Sequence, residues 1–116
     1  MGDPGEIKVF GLKKCSTCQK AVAELEAAGH KMAFRDVSTD PLGAEERAAM
    51  LAAFGERLRN RASLTWRAMS EAEREAPIDA QIAARPALMK RPAIVAGGQH
   101  LLGWTANVKR ALGLPA

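Results

Sequence analysis

The fold is decided by the stretch Val9-Phe10-Gly11-Leu12-Lys13-Lys14-Cys15-Ser16-Thr17-Cys18-Gln19-Lys20-Ala21. A short apolar run breaks at a glycine and two cysteines then open an amphipathic segment, which predicts a strand, a loop and the start of a helix. The unpaired N–H groups of a first helical turn favour a thiolate over a thiol, so Cys15 is the candidate nucleophile. Cys18 follows one turn later, within the range of a disulfide, and we predict that the two cysteines pair reversibly.

Two other interpretations of the cysteine pair stay open. The first is half of a structural zinc site, although zinc needs about four ligands and neither His30 nor His100 shows a finger-like spacing. The second is a pair of buried thiols that pack as small apolar groups. A CxxC beside a predicted βαβ unit favours redox chemistry, and we expect no metal.

Length and composition indicate an ordinary globular protein. The 116 residues fit one domain, 1–116, with a net charge of +4 whose cations are mixed with acidic residues along the chain. We therefore expect a monomer without a direct nucleic-acid partner. The start, residues 1–6, lacks the features of a signal peptide, no apolar run approaches about 18 residues, and there are only two cysteines. We expect a cytoplasmic location and no membrane partner.

The residues that flank the CxxC predict a right-handed βαβ unit. Residues 7–10 alternate β-forming side chains with a lysine and form the first predicted strand. Apolar residues recur at helical spacing over 16–28, and Ser16 or Thr17 is expected to cap this helix. Residues 32–37 form the second predicted strand, parallel to the first because a helix joins the two.

The middle of the chain is predicted to be helical. Apolar spacing indicates a helix over 44–54, then a helical turn over 57–60 and a loop into residues 65–66. A capping box begins at Ser70, and Asp79 is expected to cap a further helix that extends through residue 84.

The last third of the chain predicts a hairpin and a helix. Residues 90–102 form two strands around the turn Gly97-Gly98, and Pro92 opens the first of them. Thr105 is expected to cap the last amphipathic helix.

This order of elements predicts an α/β fold, namely a thioredoxin-like (glutaredoxin-like) mixed sheet built from βαβ and ββα halves. The thioredoxin-like parts are 6–37 and 91–113, and a helical insertion occupies 44–85. The arginines of the insertion form either an anion site or a solvated surface: Arg57, Arg59, Arg61 and Arg67.

Four separated motifs, in this order, resemble the arsenate reductase (ArsC)/Spx family. They are Cys15-Ser16-Thr17-Cys18-Gln19-Lys20-Ala21, the segment from Asn60-Arg61 to Thr65-Trp66, Arg85-Pro86-Ala87-Leu88-Met89, and Lys90-Arg91-Pro92. The resemblance spans roughly 7–112, is closest to the YffB-like branch, and has a CxxC similar to that of Spx. It implies a thioredoxin fold with a helical insertion, a catalytic or redox Cys15, a cis-proline at Pro92, and glutathione as co-substrate.

The chain departs from the family where an arsenate ion would bind. Family members that reduce arsenate use three arginines, whose positions align with Asn60, Arg91 and Gly103. Only Arg91 is an arginine here. A tetrahedral oxyanion needs several fixed donors, and arginine forms the strongest ones, so arsenate reduction is disfavoured.

The favoured function is therefore a small thiol-disulfide oxidoreductase. The Cys15 thiolate, stabilised by Lys14, Arg91 and the helix end, attacks a disulfide, and Cys18 or glutathione resolves the adduct. Its partners are glutathione or a protein thiol or disulfide. One alternative is a Spx-like regulator that binds RNA polymerase and uses the CxxC as a switch; another is a relative that shares only the fold. The residues expected to bind substrate or an anion are Lys14, Thr17, Lys20, Asn60, Arg61 and Pro92.

Overall fold

The computed structural model describes residues 5–115 as two compact units. The sheet unit comprises the chain up to Asp36 together with the chain from Arg91 onward, and the helical unit comprises Val37–Lys90. The helical unit thus includes more of the chain than the predicted insertion over 44–85. Residues 1–4, which carry most of the stretch used to argue against a signal peptide, lie outside the described residues, as does residue 116.

The strands of the sheet unit are β1 (Ile7–Gly11), β2 (Met32–Asp36), β3 (Ala93–Ala96) and β4 (Gln99–Leu102). They form one mixed sheet with the order β2-β1-β3-β4. The parallel neighbours β1 and β2 run in register from Ile7 opposite Met32 to Gly11 opposite Asp36. β3 is antiparallel to both β1 and β4. The predicted βαβ and ββα halves, and with them the thioredoxin-like fold, are confirmed. The helices of this unit are α1 (Ser16–Ala27) and α6 (Ala106–Ala111).

One apolar core holds the sheet unit together. Leu25 of α1 and Val108 of α6 are buried in one cluster with Val9 and Ile94 from the two central strands. Burying an aliphatic side chain of this size contributes roughly 1.5–3 kcal/mol. The core therefore fixes α1 against the sheet and, with it, the CxxC at the start of α1.

The hairpin turn and the cap of α6 in the sheet unit are formed by the residues that the sequence predicts. Gly97 and Gly98 have φ values of +54° and +84°, and such a pair of left-handed residues matches the twist of a two-residue hairpin. Thr105 caps α6, because its Oγ1 accepts a hydrogen bond of 3.3 Å from the Val108 N–H. Both predictions are confirmed.

The helical unit consists of short helices joined by tight turns. The unit has two 3₁₀ helices, Gly55–Leu58 and Pro86–Leu88, and the chain after each one pairs with the last residue of the other. The Asn60 N–H donates to the Leu88 carbonyl at 2.9 Å, and the Lys90 N–H donates to the Leu58 carbonyl at 2.7 Å. Leu58 and Leu88 are fully buried. The elements of this unit are α2 (Ala44–Phe54), a 3₁₀ helix (Gly55–Leu58), α3 (Leu64–Ala68), α4 (Glu71–Glu75), α5 (Ile78–Ala84) and a second 3₁₀ helix (Pro86–Leu88).

Three local expectations were wrong. The N-cap of α1 is Cys15, not Ser16 or Thr17. Pro77, not Asp79, precedes α5 as its N-cap, and Asp79 lies in the first turn, where its charge favours the helix dipole.

The third error concerns the segment around Thr65-Trp66, which is helical and not a loop. Ser63 caps α3, with its Oγ accepting a hydrogen bond of 3.1 Å from the Trp66 N–H. By contrast, the capping box of α4 is present as predicted: Ser70 Oγ accepts from the Glu73 N–H at 3.1 Å, and Glu73 Oε1 accepts from the Ser70 N–H at 3.0 Å.

Candidate active site

Cys15 lies where the loop after β1 enters α1. Its backbone is extended, with φ −78° and ψ 118°, and its N–H donates to the Leu12 carbonyl at 3.0 Å. Its own carbonyl accepts the first helical hydrogen bond, from the Gln19 N–H at 3.0 Å. The half-buried side chain of Cys15 is therefore held at the amino end of a 12-residue helix.

The loop before Cys15 is anchored by two side chains that the sequence did not single out. The Lys13 N–H donates to Asp36 Oδ2 at 3.0 Å, and Gln19 Nε2 donates to the Lys13 carbonyl at 2.7 Å. Asp36 is available because it lies directly opposite Gly11 where the parallel strands end. The alignment of those strand ends was the signal that could have revealed it.

The pKa of Cys15 lies below its ordinary value. Partial burial opposes ionisation and raises the pKa, but the backbone N–H and thiol of Cys18 and the Arg91 guanidinium together lower it by more. No side chain makes a standard capping hydrogen bond to the first turn of α1. The N–H of Cys18, in the first turn of α1, instead donates to the Cys15 sulfur, and this contact favours the thiolate.

Cys18 has the opposite properties. Its side chain is 1% exposed, and burial, together with the neighbouring Cys15, raises its pKa to about 11, although Leu12 and Arg91 act in the other direction. Both cysteines are free thiols. The pair therefore consists of a half-buried sulfur whose pKa is lowered and a buried sulfur whose pKa is raised.

Gly11 provides the space that the Cys18 sulfur occupies. A Cβ at position 11 would overlap Cys18 Sγ and would also lie 3.4 Å from its Cβ. The sequence marked Gly11 only as the point where the strand ends. Its structural role is to let α1 pack its second cysteine against the sheet.

Arg91, whose guanidinium interacts with Cys15, begins a constrained stretch of backbone. The Arg91–Pro92 peptide bond is cis, as the family resemblance implied. The buried Pro92 accepts a hydrogen bond of 2.8 Å from the Gly103 N–H. Gly103 has a φ of +82°, a conformation that disfavours any residue with a side chain. The position that the resemblance aligns with the third family arginine thus lies in a backbone turn.

The three cationic or polar residues expected near the CxxC are exposed. Lys14 lies in the loop, and Thr17 and Lys20 lie on α1. The charge of Lys20 acts on Glu24, one turn farther along the helix, and helps to lower the pKa of that carboxyl after the larger contributions of Trp104 and Lys109. A substrate-binding role for these three residues stays a prediction.

Asn60 and Arg61 belong to the helical unit. Asn60 Oδ1 accepts a hydrogen bond of 3.1 Å from the Ala62 N–H, so its amide helps to form the turn that leads into α3. The Arg61 guanidinium lies 5.4 Å from the centroid of the Trp66 ring. The sheet unit brings Cys15, Cys18, Arg91 and Pro92 together, whereas Asn60 and Arg61 have local roles in the other unit.

A groove of about 300 Å³ adjoins the CxxC within the sheet unit. Its surface is mostly apolar, with Lys13, Gln19 and Glu26 adding polar groups. The lining residues are Leu12, Lys13, Cys18, Gln19, Val22, Ala23, Glu26 and Phe34.

The described residues were also compared with the patterns of a metal site and of a membrane-spanning helix. Within residues 5–115, no three histidine, cysteine, aspartate or glutamate side chains group as metal ligands would. In the same range, none of the helices has the length and apolarity needed to cross a membrane.

Comparison with known proteins identifies the family. The model of the ArsC family matches residues 10–112, which is most of the chain. The chain belongs to the ArsC family. Comparison with curated proteins gave no match.

Solved structures of similar proteins agree with this assignment. An ArsC-related protein from Brucella melitensis is 28% identical to this ArsC-family chain over 98% of it and 100% of the other chain, with a TM-score of 0.71. A YffB protein is 27% identical over 90% of this chain and 96% of its own, with a TM-score of 0.82. An arsenate reductase from Vibrio cholerae, 17% identical over 97% and 99% of the two chains with a TM-score of 0.77, shares the fold. This ArsC-family chain thus has the thioredoxin-like fold of thiol oxidoreductases.

Proposed function

We propose that this ArsC-family chain is a cytoplasmic thiol-disulfide oxidoreductase that uses glutathione as its reductant. The observation that carries the proposal is the asymmetric cysteine pair at the start of α1. Cys15 is half-buried with a lowered pKa beside Arg91, and Cys18 is buried with a raised pKa. A nucleophile with an accessible, stabilised thiolate and a protonated neighbour is suited to thiol exchange.

The first step is attack by the Cys15 thiolate on one sulfur of a substrate disulfide. A bond forms between Cys15 Sγ and that sulfur, the substrate S–S bond breaks, and the other sulfur leaves as a thiolate that takes a proton from solvent. With a glutathione mixed disulfide as substrate, glutathione becomes attached to Cys15. The Arg91 guanidinium stabilises the Cys15 thiolate that makes this attack.

The adduct is resolved by a second thiolate. If a free glutathione attacks the glutathionylated Cys15, oxidised glutathione leaves and the Cys15 thiolate is restored; one free glutathione is consumed, and the other half of the oxidised glutathione comes from the substrate. If Cys18 attacks, a Cys15–Cys18 disulfide forms, the bound thiol leaves, and two further glutathiones reduce the disulfide.

Adduct formation prepares Cys18 for this role. With a pKa of about 11 in the free protein, Cys18 is a thiolate in fewer than about one molecule in a thousand near neutral pH. Part of that rise comes from Cys15, through a hydrogen bond and through charge. When Cys15 becomes part of a mixed disulfide its charge disappears, and the pKa of Cys18 falls.

Arsenate is a poor substrate on this proposal. Two of the three arginines that bind the oxyanion in arsenate-reducing relatives are replaced, and the replacements have backbone roles of their own. The Asn60 amide forms a turn, and Gly103 lies in a left-handed conformation with φ +82°.

The test is reduction of a glutathione mixed disulfide, coupled through glutathione reductase to NADPH oxidation. We expect turnover by the wild-type protein, none by Cys15→Ser, and at least partial turnover by Cys18→Ser, since glutathione can resolve the adduct alone. Exposed Ser16→Ala, which alters a neighbouring side chain and leaves both sulfurs, is the matched control.

Two results would contradict the proposal. Turnover that survives in Cys15→Ser would show that another group carries the reaction. Reversible oxidation of Cys15 and Cys18 without any turnover would favour the redox-switched regulator instead, and capture of RNA polymerase by the oxidised or reduced protein would then be the next measurement.

A further inference from the structure

Trp104 links the turn after β4 to the helix that carries the two cysteines. The side chain is half-buried and packs against the apolar core of the sheet unit. Its indole N–H donates to Glu24 Oε2, which is 80 positions away in the chain. Because Glu24 belongs to α1, and Cys15 is the N-cap of that helix, the indole is bonded to the element that positions the reactive thiol.

Lys109 of α6 completes the contact between Trp104 and Glu24. Its Nζ donates to Glu24 Oε1 at 3.4 Å and lies 5.7 Å from the centroid of the Trp104 ring, which is within the range of a cation–π contact. Each oxygen of the Glu24 carboxylate therefore has a donor of its own, one from the turn after β4 and one from α6. Two donors from different elements hold the carboxylate in one orientation.

The residue before Trp104 supports the backbone next to Arg91. The Gly103 N–H donates to the Pro92 carbonyl at 2.8 Å, and both residues are buried. Arg91 and Pro92 lie beyond the last residue pair that joins β3 to β1. The bond from Gly103 therefore continues the support of this segment past the end of the β1–β3 pairing.

These contacts close a ring that contains both Cys15 and the cation beside it. The Arg91 guanidinium donates a hydrogen bond to the Cys15 sulfur, and α1 connects that cysteine to the far side of the ring. The remaining members, in order, are Glu24, Trp104, Gly103 and Pro92. In such a ring the position of the guanidinium relative to the sulfur depends in part on the bond between the indole and the carboxylate.

We propose that Trp104 is a positioning residue for the thiol chemistry of Cys15: by fastening the turn after β4 to Glu24, it keeps the Arg91 guanidinium at the Cys15 sulfur. Trp104 acts through Arg91 and not by contact with a substrate. The proposal rests on the proposed function, since it takes Cys15 as the nucleophile, and it concerns how the thiolate is stabilised, whatever disulfide the thiolate attacks.

The test is the pH dependence of iodoacetamide alkylation at Cys15 in the reduced full-length protein, with the alkylated sulfur located by tandem mass spectrometry. Trp104→Phe keeps an aromatic ring but cannot donate to Glu24. We expect a higher midpoint than in the wild type. Below the midpoint, at one fixed pH, alkylation should be slower by about twofold or more, the lower end for residues joined in one hydrogen-bond network.

The chain offers a matched control in its second tryptophan. Trp66→Phe makes the same replacement in α3 of the helical unit and should leave the midpoint of Cys15 at the wild-type value. Circular dichroism of each variant checks that the helices are intact. A midpoint that rises equally in Trp66→Phe and Trp104→Phe would mean that loss of a tryptophan has a general effect, and it would overturn the proposal.

A double variant shows whether Trp104 acts through Arg91. Arg91→Gln should raise the midpoint at least as far as Trp104→Phe, because it removes the guanidinium itself. Addition of Trp104→Phe to Arg91→Gln should then bring no further rise, whereas independent effects would add. Additive shifts would therefore contradict a role through Arg91.

Variants of Glu24 separate positioning from the direct effect of charge. Loss of a negative charge favours a thiolate and by itself lowers the midpoint; Glu24 is nine positions from Cys15, about 13 Å along a helix, so salt screens this effect. Glu24→Leu removes the acceptor as well and should raise the midpoint. Glu24→Gln keeps an oxygen that can accept from the indole and should stay closer to the wild type.

A purely structural role makes a different prediction. If Trp104→Phe lowers the free energy of unfolding but leaves the midpoint of Cys15 unchanged, the positioning role is refuted. If Trp104→Phe does not fold, the comparison of Glu24→Leu with Glu24→Gln decides instead, and a fall of the midpoint in Glu24→Leu refutes it. These measurements do not require turnover, so the expected shifts in a protein that fails to reduce a glutathione mixed disulfide would support positioning and contradict the proposed function alone.

Discussion

Replacement of Gly11 by alanine tests how the second cysteine is accommodated. The new methyl group would overlap Cys18 Sγ and lie 3.4 Å from Cys18 Cβ. Cys18 is 1% exposed and belongs to the first turn of α1, so its sulfur has little free space into which it can move. Gly11 is not among the glycines with positive φ, so alanine brings no backbone strain, and the sulfur contact is the main effect.

The size of the effect follows from two opposing contributions. Extra volume in a well-packed core costs about 1–3 kcal/mol. Alanine at an unstrained position also restricts the unfolded chain, which stabilises the fold by about 0.4–1 kcal/mol. We therefore expect a net loss of about 1–2 kcal/mol in the free energy of unfolding, or a urea midpoint lower by roughly 1 M.

The assay is urea unfolding under reducing conditions for four proteins: wild type, Gly11→Ala, Cys18→Ala and the double variant. Because Cys18→Ala removes the sulfur, the cost of Gly11→Ala should disappear in the double variant, with a coupling of about 1–3 kcal/mol. Gly43→Ala is the control, since its added Cβ would make an ordinary contact at 3.6 Å with Glu46 Oε1. The reasoning is refuted if Gly11→Ala costs the same whether position 18 is cysteine or alanine.

Three further outcomes are expected. Arg91→Gln should raise the pKa of Cys15, because the guanidinium lowers it; iodoacetamide alkylation measured against pH gives the midpoint, and Lys14→Gln measures separately what the adjacent lysine contributes. Glu73 has its pKa lowered to about 2, first by the hydrogen bond from the Arg85 guanidinium. Its contribution to stability is therefore complete above its unfolded pKa of about 4.3 and is lost as pH falls toward 2, so the stability difference between wild type and Glu73→Gln should shrink below about pH 4. Arsenate reduction in a glutathione-coupled assay should be weak, since each missing oxyanion donor costs about a hundredfold or more in rate; rapid Cys15-dependent turnover would contradict this expectation.

Much of the fold follows from local sequence patterns. The alternation in residues 7–10, the helical spacing after Cys15 and the Gly97-Gly98 turn each specify an element through contacts between near neighbours, and all three are present in the structure. The parallel pairing of β1 and β2 follows as well, because a helix that links two strands leaves few other arrangements. The family resemblance supplied the cis bond before Pro92, which no local pattern indicates.

Local capping was predicted less well because several residues compete for each cap. Ser16 and Thr17 have better capping side chains than Cys15, yet the helix begins after Cys15. The choice was made by β1 and its loop, where the Cys15 N–H is held by the Leu12 carbonyl. Similarly, the cap provided by Ser63 made the segment around Trp66 helical, although no long apolar repeat marks it.

The chemistry of the site depends on contacts between distant parts of the chain. From the sequence, Cys15 was expected to ionise because of its place at a helix start and its neighbour Lys14. In the structure the charge that lowers its pKa belongs to Arg91, which is 76 positions away in the numbering and is brought near by the pairing of β1 with β3.

The sequence by itself therefore determined the order of the elements and, through its motifs, the family, and it singled out Cys15 as the candidate nucleophile, because these depend on residue types and spacing along the chain. Only the tertiary structure decided that Gly11 makes room for Cys18 and that Asp36 anchors the loop before Cys15. The physical reason is that the burial and the charge felt by a side chain are set by whatever strand registers and helix packing place around it. Neighbours in sequence contribute only part of that environment.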